Sequence, residues 1–277
     1  MFWGWAACGA FFLYTLYPPR QPVPTPSQGW ATPQPVKFLA TDGVALRGWK
    51  CLTNPARPWI ILCHGLGTNR ADLWPLAEAL AAYQFNLFLF DFRAHGESQG
   101  RMTSLGWREQ RDVEGALTFL GSQPDVAERP VGLLGISMGG AVGMLTAAQD
   151  ERIGAIAVES PYASLDAALR QELRLRGLPV IPCLWFLQWT YRLRFGVLTS
   201  RVSPLQAVSR ISPRPILLIH GEADARVPAA DIRRLYEAAG QPKTLWMIPG
   251  VGHLGACEAD PEAYLGKLTE FFESSLA

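Results

Sequence analysis

From residue 58 onward the chain alternates between two kinds of pattern. Runs of five or six residues, WIILC at 59–63, FNLFLF at 85–90, VGLLGI at 131–136, IGAIAV at 153–158 and PILLIH at 215–220, are apolar almost without a break. A strand reads this way when neither face meets water, and parallel sheets covered by helices hold such strands. Between the runs, residues 71–82, 107–120, 138–148 and 232–239 carry apolar side chains at three- and four-residue spacing, the period of a helix with one buried face. A last strand-type run, TLWMIP at 244–249, precedes the helix-type PEAYLGKLTEFFESSL at 261–276. Upstream, VKFLA and VALRGWK flank the turn signal Thr41-Asp42-Gly43 and predict an antiparallel opening pair. The succession predicts a doubly wound α/β fold, a mostly parallel sheet flanked by helices, with its ligand site at the carboxyl ends of the strands.

Two stretches break the alternation. Residues 2–17, FWGWAACGAFFLYTLY, carry no charge, and Pro18, Pro19 and Arg20 follow at once. The stretch lacks the basic start and small-residue cleavage site of a signal peptide, so residues 1–19 read as an uncleaved membrane anchor. It is shorter than the ~20 residues that comfortably span a bilayer, which leaves both spanning and dipping into the interface open. Residues 20–35 are too rich in proline for a helix or central strand and predict an extended tether, with the globular domain at 36–277. The second break, roughly residues 160–214, is too long for a plain crossover and predicts a small helical cap. From Leu173 to Gly221 it has no acidic residue, while Arg174, Arg176, Arg192 and Arg194 are among its basic ones. Within it, LPVIPCLWFLQWTY offers Trp185, Phe186 and Trp189 as walls of a substrate pocket, or simply as rings that pack the cap down. The basic rim suits an anionic membrane surface.

Composition narrows the partners. A chain of 277 residues with 49% hydrophobic content suffices for one large domain. The net charge of +1, without zinc spacing, P-loop or long basic run, gives no reason to expect nucleic acid. Five cysteines, odd in number and far apart, read as buried reduced thiols rather than a disulfide framework. Arg20 and Lys37 follow the apolar stretch and only the α-amino group precedes it, which by the positive-inside tendency places the domain on the cytoplasmic side. Reduced cysteines agree with that side.

The chemistry enters where the third buried run ends, at Gly135-Ile136-Ser137-Met138-Gly139. This G-x-S-x-G pattern is that of a nucleophile elbow, in which a strand turns abruptly into a helix and leaves a serine exposed at the tip. The turn needs positive φ at the serine and so close a neighbouring backbone that only glycine fits on either side. The other strand ends carry His64-Gly65-Leu66-Gly67, then DFRAHGES at 91–98, GEADARVP at 221–228 and GVGHLG at 250–255. In order and spacing these segments resemble the α/β-hydrolase superfamily, from about Val36 to the C-terminus. With ESPYASL at 159–165 and the apolar start, the chain resembles more narrowly a group of membrane-anchored, lysophospholipase-like serine hydrolases.

That resemblance implies Ser137 as nucleophile and His253, last in the Ser, acid, His order, as its base. Of the other histidines, His64 and His95 read as loop-holding, and His220 ends a strand. Asp224 matches the acid of the resembled motif, with Glu222 a neighbouring rival and Glu159 a further candidate. Asp91 reads as structural, satisfying backbone donors or Arg93. The N–H groups of Leu66 and Met138 are the expected oxyanion donors. The implied activity is hydrolysis of a carboxylic ester or lipid through an acyl-enzyme, with no metal or organic cofactor. An acyl-protein thioesterase, a peptidase and a cofactor-free haloperoxidase share the same groups, and a binding module on a hydrolase scaffold is the non-enzymatic alternative. A serine rather than aspartate nucleophile argues against dehalogenases and epoxide hydrolases.

Overall fold

In a computed structural model the described residues are 9–11, 13–26, 32–124, 126 and 130–276. One eight-stranded sheet organises them, with strands β1 (Gln34–Leu39), β2 (Ala45–Cys51), β3 (Trp59–Cys63), β4 (Asn86–Phe90), β5 (Val131–Ile136), β6 (Ile153–Glu159), β7 (Ile216–Gly221) and β8 (Lys243–Ile248). The spatial order is β1-β2-β4-β3-β5-β6-β7-β8. β2 pairs antiparallel with both β1 and β4, and every pairing from β4 to β8 is parallel.

The uninterrupted runs have a direct cause in this arrangement. Side chains alternate across a strand, and both faces of the sheet are buried. Ile61, Cys63, Phe88, Phe90 and Leu133 join one apolar cluster, with the helices Gln110–Gly121 and Met138–Ala147. Ile60, Leu62, Leu87, Leu89 and Leu134 join the other, under the helices Trp74–Ala82 and Pro261–Ser275. The edge strand β8 is only half-buried. The helix expected at 107–120 begins later, at Gln110. The buried Glu109 carboxylate accepts from the Ser104 and Gly106 amides at 2.9 and 2.8 Å and from the hydroxyls of Thr103 and Ser104. Residues 103–109 therefore wrap around an acid instead of continuing a helix.

Between β6 and β7 stand the cap helices Leu165–Leu175 and Val180–Phe195, with shorter helical turns after them. The Ser164 hydroxyl caps the first by accepting from the Ala167 amide. Cys183, Leu184, Leu187 and Tyr191 turn inward from the second, whereas Trp185 and Trp189 are exposed.

The beginning of the chain departs from the expected anchor and free tether. Residues 9–11 and 13–16 are helical, and Phe11 and Leu16 are buried in the same cluster as β3 and β4. The Thr103 amide donates to the Leu16 carbonyl at 2.9 Å. Residues 18–26 are extended, as their prolines dictate, but lie against the domain: Arg20 donates to four backbone carbonyls and Asn69 to those of Gln21 and Pro22. Buried apolar side chains and satisfied carbonyls thus hold Phe11, Leu16 and residues 20–22 against the domain, upstream of its expected start at residue 36. Residues 1–8, 12 and 27–31 of the expected anchor and tether lie outside the described residues. Among the described residues no helix is long and apolar enough to cross a membrane.

Cys51 and Cys63 are buried free thiols and Cys257 is free and half-buried, but Cys183 is disulfide-bonded. The expectation of a fully reduced set is corrected at that position, and the cysteines no longer support a cytoplasmic side.

Candidate active site

Ser137 sits at the junction of β5 and the helix Met138–Ala147 with φ of 51°. Its amide donates to the Glu159 carbonyl at 2.8 Å, which ties the elbow to the neighbouring strand end. The flanking glycines are there for space. A Cβ on Gly135 would lie 2.6 Å from the Gly139 carbonyl oxygen and the Gly140 Cα, and one on Gly139 would collide with the Cys63 carbonyl. The strained conformation at Ser137 persists because β5, β6 and the helix over-determine it.

The structure brings the three expected side chains together. Ser137 Oγ lies 3.2 Å from His253 Nε2, and His253 Nδ1 lies 2.7 Å from Asp224 Oδ2. The other carboxylate oxygen, Asp224 Oδ1, accepts from the Arg226 and Val227 amides, both at 2.9 Å. Burial pushes the Asp224 carboxyl up, but the His253 hydrogen bond and the Val227 amide outweigh it and hold the group below the ordinary carboxylate range. Asp224 is therefore ionised at neutral pH.

The remaining titratable residues hold loops. His220 Nε2 donates to the Val227 carbonyl at 3.0 Å, fastening the loop that carries Asp224, and burial lowers its pKa so the ring is neutral. His64 Nε2 accepts from the Phe92 amide at 3.0 Å, which leaves Nδ1 to donate to the Gly65 carbonyl at 2.7 Å. Burial drives its pKa well below the ordinary histidine value, so it fixes the Gly65–Gly67 loop as a neutral ring. His95 Nδ1 donates to the Arg93 carbonyl. Glu159 accepts from the Ala256 amide at 3.2 Å and the Tyr264 hydroxyl at 2.8 Å, so it braces the segment after His253 and makes no hydrogen bond to the imidazole. Glu222 is 44% exposed at its side chain, lies 3.9 Å from Arg233 and makes no hydrogen bond to His253. Asp91 is structural through a different partner than Arg93. It accepts from the Arg70 and Glu97 amides and pairs with the Arg70 guanidinium, while Arg93 pairs with Asp112 and Asp42.

The loop bearing Leu66 lies beside the nucleophile, since a Cβ on Gly65 would stand 3.6 Å from Ser137 Cβ. Met138 is the first residue of its helix, where N–H groups lack intrahelical acceptors and the helix dipole favours negative charge. Both residues line a pocket of about 640 Å³ whose floor includes Ser137 and His253. The expected wall residues are elsewhere. Trp185 and Trp189 are 64% and 50% exposed, and Phe186 is half-buried on the same helix without lining this pocket. Apolar side chains are spread over all sides of Val180–Phe195, so spacing alone could not tell its inner from its outer rings. The walls come instead from Tyr162, Leu165, Ala168 and Leu169 of the cap and from Phe11, Tyr14 and Thr15 of the N-terminal segment. The only sequence signal for these was ESPYASL, where Tyr162 donates to the Leu105 carbonyl at 2.6 Å. Among the described residues no cluster of three or more His, Cys, Asp or Glu side chains is placed to hold a metal.

Comparison with known proteins agrees with this geometry at the level of fold and family. Residues 60–266 match the family model described as the Alpha/beta hydrolase family. The uncharacterized protein YfhR of Escherichia coli strain K12 is 31% identical over 249 residues, covering 87% of this chain and 81% of that protein. A solved structure of the Pyrococcus furiosus esterase Pf2001 superposes with a TM-score of 0.78 at 25% identity, over 95% of this chain and 99% of that one. The crystal structure of the hydrolase GrgF from a Penicillium species superposes at 0.71 with 22% identity, over 88% and 99%. With its mostly parallel sheet, its serine at a glycine-fenced elbow and these relatives, the chain belongs to the alpha/beta hydrolase family.

Proposed function

We propose that this hydrolase cleaves carboxylic esters of apolar acyl groups through a serine acyl-enzyme. The observation that carries the reading is the two-step hydrogen-bond relay from Asp224 through His253 to Ser137, ending at the floor of an apolar pocket. A serine hydroxyl is a poor nucleophile until a neighbour accepts its proton. Ser137 Oγ attacks the ester carbonyl as its proton passes to His253 Nε2, and the Leu66 and Met138 amides donate to the oxyanion that forms. Each such donor is worth roughly 3 kcal/mol. His253 then protonates the departing alcohol oxygen, leaving the acyl group on Ser137. Water, deprotonated by the same nitrogen, attacks the acyl carbonyl and releases the acid. Asp224 stays ionised throughout, holding Nδ1 as the protonated nitrogen and stabilising the imidazolium.

A fluorophosphonate probe on the full chain tests this, because it labels only an activated serine. Peptide mapping is expected to place the label on Ser137 and to find none on the Ser137→Ala protein. Labelling at another serine, or none on the parent chain, would overturn the reading.

A second reading, that the enzyme works against a lipid surface, is favoured by one helix face. Ile181, Trp185, Trp189 and Leu193 stand exposed at four-residue intervals along Val180–Phe195, with Arg192 and Arg194 exposed beside them. Four-residue spacing puts them on one stripe, and a soluble monomer rarely leaves such a stripe uncovered. Tryptophan favours the membrane–water interface, and each arginine near an anionic surface adds about 1 kcal/mol. The same side chains could instead seat a second copy of the chain. Flotation with phosphatidylcholine–phosphatidylglycerol vesicles separates the two. The double variant Trp185→Ser/Trp189→Ser is expected to lose about tenfold or more in partitioning, and the remaining binding to fall with salt. Equal flotation of parent and variant would remove the lipid surface from the proposal.

A further inference from the structure

The pocket above Ser137 has two walls of different origin. One is the first cap helix, through Leu165, Ala168 and Leu169. The other is the beginning of the chain, through Phe11, Tyr14, Thr15, Pro18, Pro19 and Gln21. Segments that merely tether a domain do not form pocket walls, and this one is fastened at several points. Phe11 and Leu16 are 8% and 1% exposed, and the Arg176 guanidinium stacks 5.0 Å over the Phe11 ring. A further fastening is Arg20. Its Nη1 donates to the carbonyls of His95, Gly96 and Ser98 at 3.3, 2.6 and 2.7 Å, and its Nη2 to that of Gly100 at 2.7 Å. The rigid fork of a guanidinium is suited to gathering several carbonyl oxygens of one loop. Asn69, two residues beyond the Gly65–Gly67 loop, holds the next stretch by donating to the Pro22 carbonyl at 3.0 Å.

The charged groups at this pocket are one carboxylate and two guanidiniums, which leaves one net positive charge at its rim. Glu172 pairs with Arg226 at 2.9 Å and with Arg176 at 3.5 Å. What faces the space above the nucleophile between the two walls is largely carbon.

We infer that Phe11, Tyr14, Thr15, Pro18, Pro19 and Gln21 and the first cap helix together form an acyl-chain subsite, latched by Arg20, so that the N-terminal segment sets the chain length the enzyme accepts. The inference rests on the ester-hydrolase reading and names the ligand of that site: a linear saturated acyl chain lying between Phe11–Thr15 and Leu165–Leu169, its carbonyl at Ser137. The membrane-anchor reading of the same residues is thereby narrowed, since Phe11 and Leu16 are buried against the domain.

Two variants of the full chain test it. Thr15→Trp fills the space from the N-terminal side, and Arg20→Ala releases the latch without touching the pocket. The reading is the ratio of kcat/KM for p-nitrophenyl dodecanoate to that for the acetate. Contact of even one methylene in an apolar pocket is worth about tenfold, so both variants are expected to lower the ratio by about tenfold or more. Binding is followed separately by titrating dodecanoate calorimetrically into the Ser137→Ala protein, where Thr15→Trp is expected to weaken the affinity by a similar factor. Ratios and affinities within about twofold of the parent in both variants would overturn the inference, because loss of a single methylene contact already exceeds that. Failure of dodecanoate to bind the Ser137→Ala protein would overturn it as well. If dodecanoate binds and Thr15→Trp weakens it, but the parent hydrolyses no ester, the subsite stands and the ester-hydrolase reading falls.

Discussion

Replacing Ser137 with alanine will lower kcat for a short p-nitrophenyl ester by roughly five to six orders of magnitude while leaving the fold in place, the scale on which residues acting as one catalytic unit fail. The size follows from what the hydroxyl alone supplies. Among the described residues no other hydroxyl or thiol is hydrogen-bonded to His253 Nε2, 3.2 Å from Ser137 Oγ, so without that oxygen no acyl-enzyme forms. What remains is oxyanion stabilisation and substrate positioning, which by themselves give a small residual rate over water. The fold is spared because Ser137 holds the elbow through its amide, which donates to the Glu159 carbonyl, and alanine keeps that amide. Alanine at φ of 51° is no worse than serine, as both carry a Cβ. Steady-state rates, with thermal unfolding to verify the fold, check the result. Retention of a tenth of the parent activity would show that another residue attacks.

Asp224→Asn will cost on the order of 10⁴ in kcat, whereas Glu222→Gln will cost little. The asymmetry lies in the hydrogen bonds of the two oxygens. Asp224 Oδ1 accepts from two backbone amides, so an asparagine at this position keeps its carbonyl oxygen there and turns its NH₂ toward His253 Nδ1. The imidazole must then accept at Nδ1 and carry its proton on Nε2, which faces Ser137 Oγ and can no longer take a proton from it. The wrong tautomer, more than the lost charge, stops the reaction. Glu222 is out of this path, exposed and nearest Arg233 at 3.9 Å. A pair of kcat measurements on the two variants decides the assignment, and the reverse ranking would transfer the orienting role to Glu222.

Much of this fold was legible in the sequence because its causes are local. The runs at 59–63, 85–90 and 131–136 are apolar at every position because each strand is covered on both faces, and period two in the structure becomes continuity in the sequence. The elbow was legible for a similar reason: Gly135 and Gly139 are required by collisions within a few residues and with one adjacent strand end. The order Ser137, Asp224, His253 follows from three strand ends brought to one edge of a parallel sheet. The choice of Asp224 over Glu222 was written into the motif, but the two amides that orient its carboxylate appear only once the loop is folded.

Tertiary structure alone decided what covers each apolar surface. Hydrophobicity records that a surface must leave water and says nothing of whether lipid, a cap or the protein's own core takes its place. Phe11 and Leu16 read as bilayer residues, yet they are buried against the domain, while Trp185 and Trp189 read as pocket walls and face outward. In a helix with apolar residues on every side, such as Val180–Phe195, no spacing distinguishes the two directions, so the packing partner chooses. Charge pairing is equally non-local. The aspartate after β4 takes Arg70 from the loop after β3, and Arg93, two residues away, takes Asp112 from the following helix. A sequence records which groups need partners, and only the folded chain brings the partners within reach.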